Sequence, residues 1–267
     1  MEEPVSTAGN GAPSAAPDPR ERILEAAARA VAGRGYHGMS MRELARGAGM
    51  SLSNLYNYFA SKEEILYALQ KEAFEVLVGS VEAALAGLDG QIGGAGAASA
   101  DARLYVFVSH HVRYVAERPE VMRVLVHEAA SLPAGRRGEV RRLKERYFRL
   151  ARDIIARLVA DGCGGGGAGP ACAAAGAAAD GRDDGELDRL TYNLFGMLNW
   201  IYGWYDPQVH GEPRQLAHTI HRIALCGMVA QCPYRELQES LDFRLASVAA
   251  PPLLGPPPPP KRPESSP

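Results

Sequence analysis

Apolar positions along this chain recur three and four residues apart, the spacing of amphipathic helices, and no segment alternates with the period of two expected of a half-buried strand. Asp18, followed by Pro19 and an acid at Glu21, starts the first pattern; Ile23, Leu24, Ala27 and Val31 form its apolar face, and Gly33 and Gly35 stop it. Ser40 and Glu43 have the spacing of a capping box and open a short helix carrying Leu44, Ala45 and Ala48, broken by Gly49. Ser51 caps a third short helix through Leu52, Leu55, Tyr56 and Phe59. Ser61 and Glu64 repeat the capping box and lead a longer helix with Ile65, Leu66, Leu69, Ala73, Val76 and Leu77 in its stripe. Further on, Leu104, Phe107, Val108, His111 and Val115 make a stripe ended near Pro119. Val121, Val124, Leu125 and Glu128 belong to a short helix before Pro133, and Leu143, Tyr147, Leu150, Ile154 and Leu158 form the cleanest stripe. Two more helices are expected, from Glu186 to about Tyr205 and from about Pro213 to Gln231. The fold class read from this pattern is all-α.

Composition divides the pattern into parts. Residues 1–18 and 249–267 are poor in buriable apolar surface and read as a disordered arm and a proline-rich disordered tail, the latter with five consecutive prolines at 256–260. Low-complexity Gly/Ala also fills 87–100 and an insertion near 162–185. The expected domains are a head over 19–65 and a helical body over 66–248. A net charge of −2 excludes a uniformly basic coat. There is no long apolar run for a membrane span and no basic-then-apolar leader at Met1, so a cytoplasmic protein with no membrane partner is expected. Cys163, Cys172, Cys226 and Cys232 form no C-x-x-C pair and read as free thiols or, less simply, a redox switch.

The candidate chemistry lies in the head. Met41 to Phe59 has the layout of a helix-turn-helix: small Ala45 where two helices cross, Gly49 where the turn needs positive φ, and Leu55 on the inward face of the second helix. Leu44, Ala48, Met50 and Tyr58 fall at supporting positions. Ser53, Asn54 and Asn57 face outward, short and polar, as suits a helix that bonds base edges in a major groove about 12 Å wide. An ordinary αα-hairpin with a glycine turn is the plainer alternative, and the flanking capped helices argue against it. The run from Ser40 to Leu66 resembles the N-terminal domain of the TetR family of transcriptional regulators over about 19–66. That resemblance implies an all-helical homodimeric repressor of double-stranded DNA with a divergent ligand-binding domain, whose effector changes the spacing of the two heads. By position it implies base contact for Arg42, a groove-facing side for Ser53, Asn54 and Asn57, and phosphate contact for Tyr56, Tyr58 and Lys62. The N-terminal N–H groups of the fourth helix suit a phosphate on physical grounds alone.

The body is less specific. Both tryptophans, Trp200 and Trp204, stand in the run Asn199 to Pro207, which reads either as core and dimer interface or as a pocket wall. With Gly196 to Trp200, Trp204, Tyr205, Pro207 and Pro213, and with Arg118 to Glu120 and Glu128, the body is similar to a TetR subgroup that responds to acyl-CoA thioesters. Residues 136–157 are strongly basic, and Arg142, Arg146 and Arg149 share one helical face beside the apolar stripe. They read as a solvated face or as a phosphate-attracting rim over an apolar tunnel lined by Phe107, Val108, Leu125, Tyr147, Leu150, Trp200 and Trp204. A long-chain or ring-bearing acyl-CoA is the expected effector. His218 with His221, and His110 with His111, lack a third metal ligand, and Gly162 to Gly169 is not a phosphate loop. No nucleophile–base–acid set can be assembled, so no catalysis and no cofactor are expected. A DNA-binding regulator with a non-CoA hydrophobic effector, a constitutive DNA-binding protein with no effector, and an acyl-CoA-binding enzyme are the competing readings. The dimer is expected to form through the helices at 186–205 and 213–231.

Overall fold

The computed structural model describes residues 18–91, 98–164 and 184–228, and every regular element among them is helical. The arm before Asp18, the centre of the 87–100 stretch, most of the 162–185 insertion and the proline-rich tail lie outside the described residues, as do Cys172 and Cys232. Cys226 is free and exposed.

The head is built from α1 (Pro19–Arg34), α2 (Met41–Gly47), α3 (Leu52–Tyr58) and the start of α4 (Lys62–Gln91). Each start is capped, which satisfies N–H groups that a first helical turn leaves free. The Asp18 carboxylate accepts from the Arg20 N–H. Ser40 and Glu43 exchange both bonds of the capping box. The Ser51 hydroxyl accepts from the Asn54 N–H at 3.1 Å. At α4 the box is modified: Ser61 accepts from the Glu64 N–H, but the Glu64 carboxylate reaches back to the N–H of Ala60 at 2.8 Å, not to that of Ser61. α3 stops one residue earlier than its pattern suggests, because Phe59 takes an extended conformation and turns inward. Ile23, Leu44, Leu55 and Ile65 are all but fully buried together. Burial of such side chains contributes about 1.5–3 kcal/mol each, which holds the two seven-residue helices that propensity alone would not.

The body comprises the rest of α4, α5 (Ala100–Glu117), α6 (Pro119–His127), α7 (Ala134–Gly164), α8 (Asp184–Asn199), the short α9 (Pro207–His210) and α10 (Pro213–Met228). α4 and α7 pack side by side, α5 lies against both and against α10, and α6 packs on α1. Two boundaries differ from the sequence reading. α7 continues to Gly164, so the insertion is helical at its start. The eighth helix ends at Asn199, and Ile201–Gly203 forms a separate 3₁₀ turn. The aromatic run is therefore a bend, with Ile201 buried beneath it, and no longer one continuous helical face. α10 is described only to Met228, so the expected end at Gln231 lies outside.

Candidate DNA interface and effector cavity

The head presents α3 outward. Gly49 has φ +66°, the left-handed conformation that a helix-turn-helix bend needs and that a side chain resists. Ala45 and Leu55 are buried where α2 and α3 cross, which leaves Ser53, Asn54, Tyr56, Asn57 and Tyr58 exposed on the far side. Met50 is half-buried in support, whereas Tyr58 sits at 40 % exposure and belongs with the outward set. Arg42 is exposed on the first turn of α2. Lys62, at the start of α4, is half-buried, its ammonium 4.7 Å from the centre of the Tyr36 ring. The Tyr36 hydroxyl donates to Glu63 at 2.8 Å, and the first-turn backbone N–H, followed by this bond, holds the Glu63 carboxyl below its ordinary range. Six of the seven DNA-facing residues expected from sequence are thus exposed in the described structure, and Lys62 lies beside them under the Tyr36 ring.

The body encloses a cavity of about 220 Å³ between α4, α5, α6, α7 and α8. Phe74, Leu77, Met122 and Leu125 are buried in its wall, and Phe148 and Phe195 complete the apolar lining. Exposed Lys144 and Tyr192, with half-buried Asn199, mark its mouth. Two buried polar groups meet at one side: Tyr147, whose hydroxyl lies 3.1 Å from Nδ1 of His111, and His111 itself. His111 is stacked on Tyr147 and edge-on to Phe195. Burial pushes its pKa down to about 3 and pushes the Tyr147 phenol up, so both are neutral near pH 7.

The residues expected to bind ligand scatter. Leu125 and Tyr147 line the cavity. Phe107 is fully buried behind it, stacked on Tyr147 at 5.0 Å, and shapes the wall without lining it. Trp200 and Trp204 do not reach it; they are 60 % and 44 % exposed on the bend, with Trp204 edge-on to His210. Arg142, Arg146 and Arg149 are exposed on the other side of α7, about 140–160° around the helix from Lys144 at 3.6 residues per turn. Arg146 forms a bidentate pair with Glu82 there. The basic residue at the mouth is Lys144, which belongs to the basic run 136–157 but not to the arginine face singled out from sequence. His111 was legible as a polar residue in an apolar stripe and, with His110, as part of an incomplete metal-ligand set.

One helix touches both regions. On one side α6 supplies Met122, Leu125 and Val126 to the cavity, and on the other it packs against α1. Just past its end, Glu128 Oε1 accepts from the Tyr36 N–H at 3.1 Å, and the Glu128 carbonyl accepts from buried Gln70 at 3.0 Å. Gly35 passes close by with φ +73°, so the loop from α1 to α2 is seated on that carboxylate.

A capped helix-turn-helix joined by a long helix to a body with an internal cavity defines a DNA-binding transcription regulator of the two-part helical class. Residues 23–69 match the family described as bacterial regulatory proteins, tetR family, and residues 97–175 match the tetracyclin repressor-like C-terminal domain. The chain belongs to the TetR family of transcriptional regulators. Among solved structures it is similar to the TetR family transcriptional regulator PfmR from Thermus thermophilus, with 27% identity over 76% of this chain and 97% of that one and a TM-score of 0.59. The fold is shared with AibR in complex with isovaleryl coenzyme A and operator DNA, at 21% identity, coverage of 77% and 97%, and a TM-score of 0.59. It is also shared with FadR from Bacillus subtilis in complex with stearoyl-CoA, at 18% identity, coverage of 77% and 97%, and a TM-score of 0.53. No curated protein matches the sequence significantly. Among the described residues no helix is long and apolar enough to cross a membrane, and no cluster of three or more metal-ligating side chains occurs.

Proposed function

We propose that this protein is a cytoplasmic repressor that binds a palindromic operator as a homodimer and leaves it when the acyl part of an acyl-CoA fills the cavity. The head over 19–65 reads the operator. Arg42, Ser53, Asn54 and Asn57 bond base edges, and Tyr56, Tyr58 and Lys62 bond phosphates. The body over 66–248 senses the effector and catalyses nothing. The observation that carries this reading is the position of α6, one side of which walls the cavity while the other packs on the head. A molecule that fills the cavity acts on the element that seats the α1–α2 loop, which gives ligand binding a route to operator affinity.

The cavity also limits the effector. Its lining is aromatic and aliphatic, and its volume of about 220 Å³ falls below the roughly 300–1,000 Å³ of pockets that enclose a drug-sized ligand. It suits a short acyl group better than the long or ring-bearing one expected from sequence. The bulky, charged coenzyme A then stays outside the mouth, where Lys144 offers a charge-assisted bond to a phosphate. The ligands named for AibR and FadR support the same class.

The test uses the full chain and the intergenic DNA beside its gene, followed by fluorescence anisotropy. Isovaleryl-CoA is expected to release the DNA at concentrations where isovaleric acid has little effect. Equal potency of acid and thioester would leave a regulator with a generic lipophilic effector. Release by neither, with operator binding intact, would leave a constitutive DNA-binding protein.

A further inference from the structure

We infer that His111, oriented by Tyr147, is the residue that reads the polar end of the effector's apolar part, by donating a hydrogen bond from Nε2 to an uncharged carbonyl oxygen. The inference rests on the effector reading above. It starts from an imbalance in the cavity wall. His111 lines the cavity and is 1 % exposed; Nδ1 is held by the Tyr147 hydroxyl at 3.1 Å, while Nε2 is buried with no hydrogen-bond partner. Buried polar groups are ordinarily paired, and an orphan of this kind marks either strain or an absent partner.

The tautomer follows from counting donors. If Nδ1 carried the proton and donated to the Tyr147 oxygen, the phenol's own O–H would lack an acceptor and Nε2 would lack a donor. If instead the phenol donates to Nδ1, the single unmet group is the Nε2 proton. The second arrangement leaves one fewer orphan and makes His111 a donor. What it lacks is an acceptor.

The surroundings select the kind of acceptor. Tyr147 and Phe195 pack on the imidazole, Phe107 packs behind both of them, and burial keeps the ring uncharged. A neutral donor in such a setting does not offset the desolvation of a carboxylate, whereas a carbonyl oxygen loses little hydration and gains the bond. Lys144 at the mouth is the cavity's cation and suits the remote charged part of the molecule. The chemistry recognised inside is therefore an acyl thioester, or another uncharged carbonyl of the same size, with the acid form disfavoured. Tyr147 is a positioning residue in this arrangement: it fixes the tautomer and leaves the contact to His111.

The test compares two coenzyme A derivatives that differ only in the carbonyl: isovaleryl-CoA and the corresponding thioether, S-(3-methylbutyl)-CoA. Binding to the full chain is measured by calorimetry. The natural chain is expected to prefer the thioester about ten-fold, which is about 1.4 kcal/mol. His111→Leu is expected to bind both equally, His111→Gln to keep part of the preference through its amide N–H, and Tyr147→Phe to lose part of it by freeing the tautomer. His111→Leu removes the unmet Nε2 proton but leaves the buried Tyr147 hydroxyl without its acceptor, so without ligand it should melt somewhat lower than the natural chain, whereas His111→Gln can keep an acceptor there. Should His111→Leu fail to fold, His111→Gln and Tyr147→Phe still decide the matter. Equal affinity of the natural chain for thioester and thioether overturns the role of His111 and leaves the acyl-CoA reading standing. Binding of neither derivative overturns the acyl-CoA reading itself.

Discussion

Asn57 and Lys62 are five residues apart, yet substitution should affect different quantities at the two positions. Asn57 is exposed on the outward face of α3 and Arg42 on the first turn of α2, and both are proposed to bond base edges. Arg42→Ala and Asn57→Ala should each cost about 1–3 kcal/mol at their own base pair and little on operators already altered there. Lys62→Ala should weaken all sequences alike and lower the slope of log K against log salt by about one. An unchanged slope would remove Lys62 from the phosphate contacts. A second residue-scale prediction concerns acid. His111 titrates near 3 when folded and about 6.5 in the unfolded chain, so between these values the unfolded chain holds a proton that the folded chain refuses. This burial contributes nothing above about pH 6.5 and destabilises progressively as pH falls below it, by roughly 1.4 kcal/mol per unit. The rings packed on His111 are those of Tyr147 and Phe195, and burial pushes the Tyr147 phenol up, so it stays neutral through this window; Lys144 stands apart at the mouth. Between pH 7 and pH 5 the natural chain should lose about 2 kcal/mol more than His111→Leu in urea unfolding. Parallel losses would mean that the imidazole is not buried neutral.

At the scale of elements, the head was legible because its information is local. Asp18, Ser40, Ser51 and Ser61 each cap within three residues, and Gly49 marks the turn, so side-chain chemistry and backbone geometry agree at short range. The cavity was not legible, because it is a gap between five helices. A stripe such as Leu143 to Leu158 shows which face of α7 meets the core, but not where along that face the neighbours fail to close. The arginine face accordingly lies across α7 from this cavity, and the tryptophans stand past the end of α8, around the 3₁₀ turn at Ile201–Gly203. α6 could be placed as a short helix between two prolines, but its position between cavity and head depends on packing against α1. That position makes Glu128 the test of coupling. Glu128→Ala removes the acceptor of the Tyr36 N–H but touches neither the cavity lining nor α3. Effector affinity should stay within about two-fold, while the coupling between effector and DNA, typically about 1–3 kcal/mol, should fall by half or more. Calorimetric titration of isovaleryl-CoA with and without operator measures both. Undiminished coupling would show that the signal bypasses the α1–α2 loop.

For the whole molecule, a single head is a poor reader of DNA. One seven-residue recognition helix reaches few base pairs, and specific sites for such heads are paired half-sites about 34–36 Å apart. Two heads held at that separation need a rigid two-fold interface, and the described surface offers apolar material for one on α8 and α10. Ile223 is 54 % exposed on α10, a position that a lone chain gains nothing by making apolar, and Tyr192 on α8, beside the cavity mouth, is 66 % exposed. A two-fold interface uses the same patch of both protomers, so one charge introduced there enters the interface twice. Ile223→Glu should therefore shift sedimentation from dimer to monomer at micromolar concentration while far-ultraviolet dichroism stays unchanged. DNA binding should reveal the same event independently. A dimer neutralises phosphates at both half-sites, and a monomer at one, so the salt slope of the variant should be about half that of the natural chain. If Ile223→Glu remains a dimer with the full slope, the two-fold axis lies elsewhere. A natural chain that sediments as a monomer would require the operator to be read by one head alone, and the effector would then have no second head to move out of register.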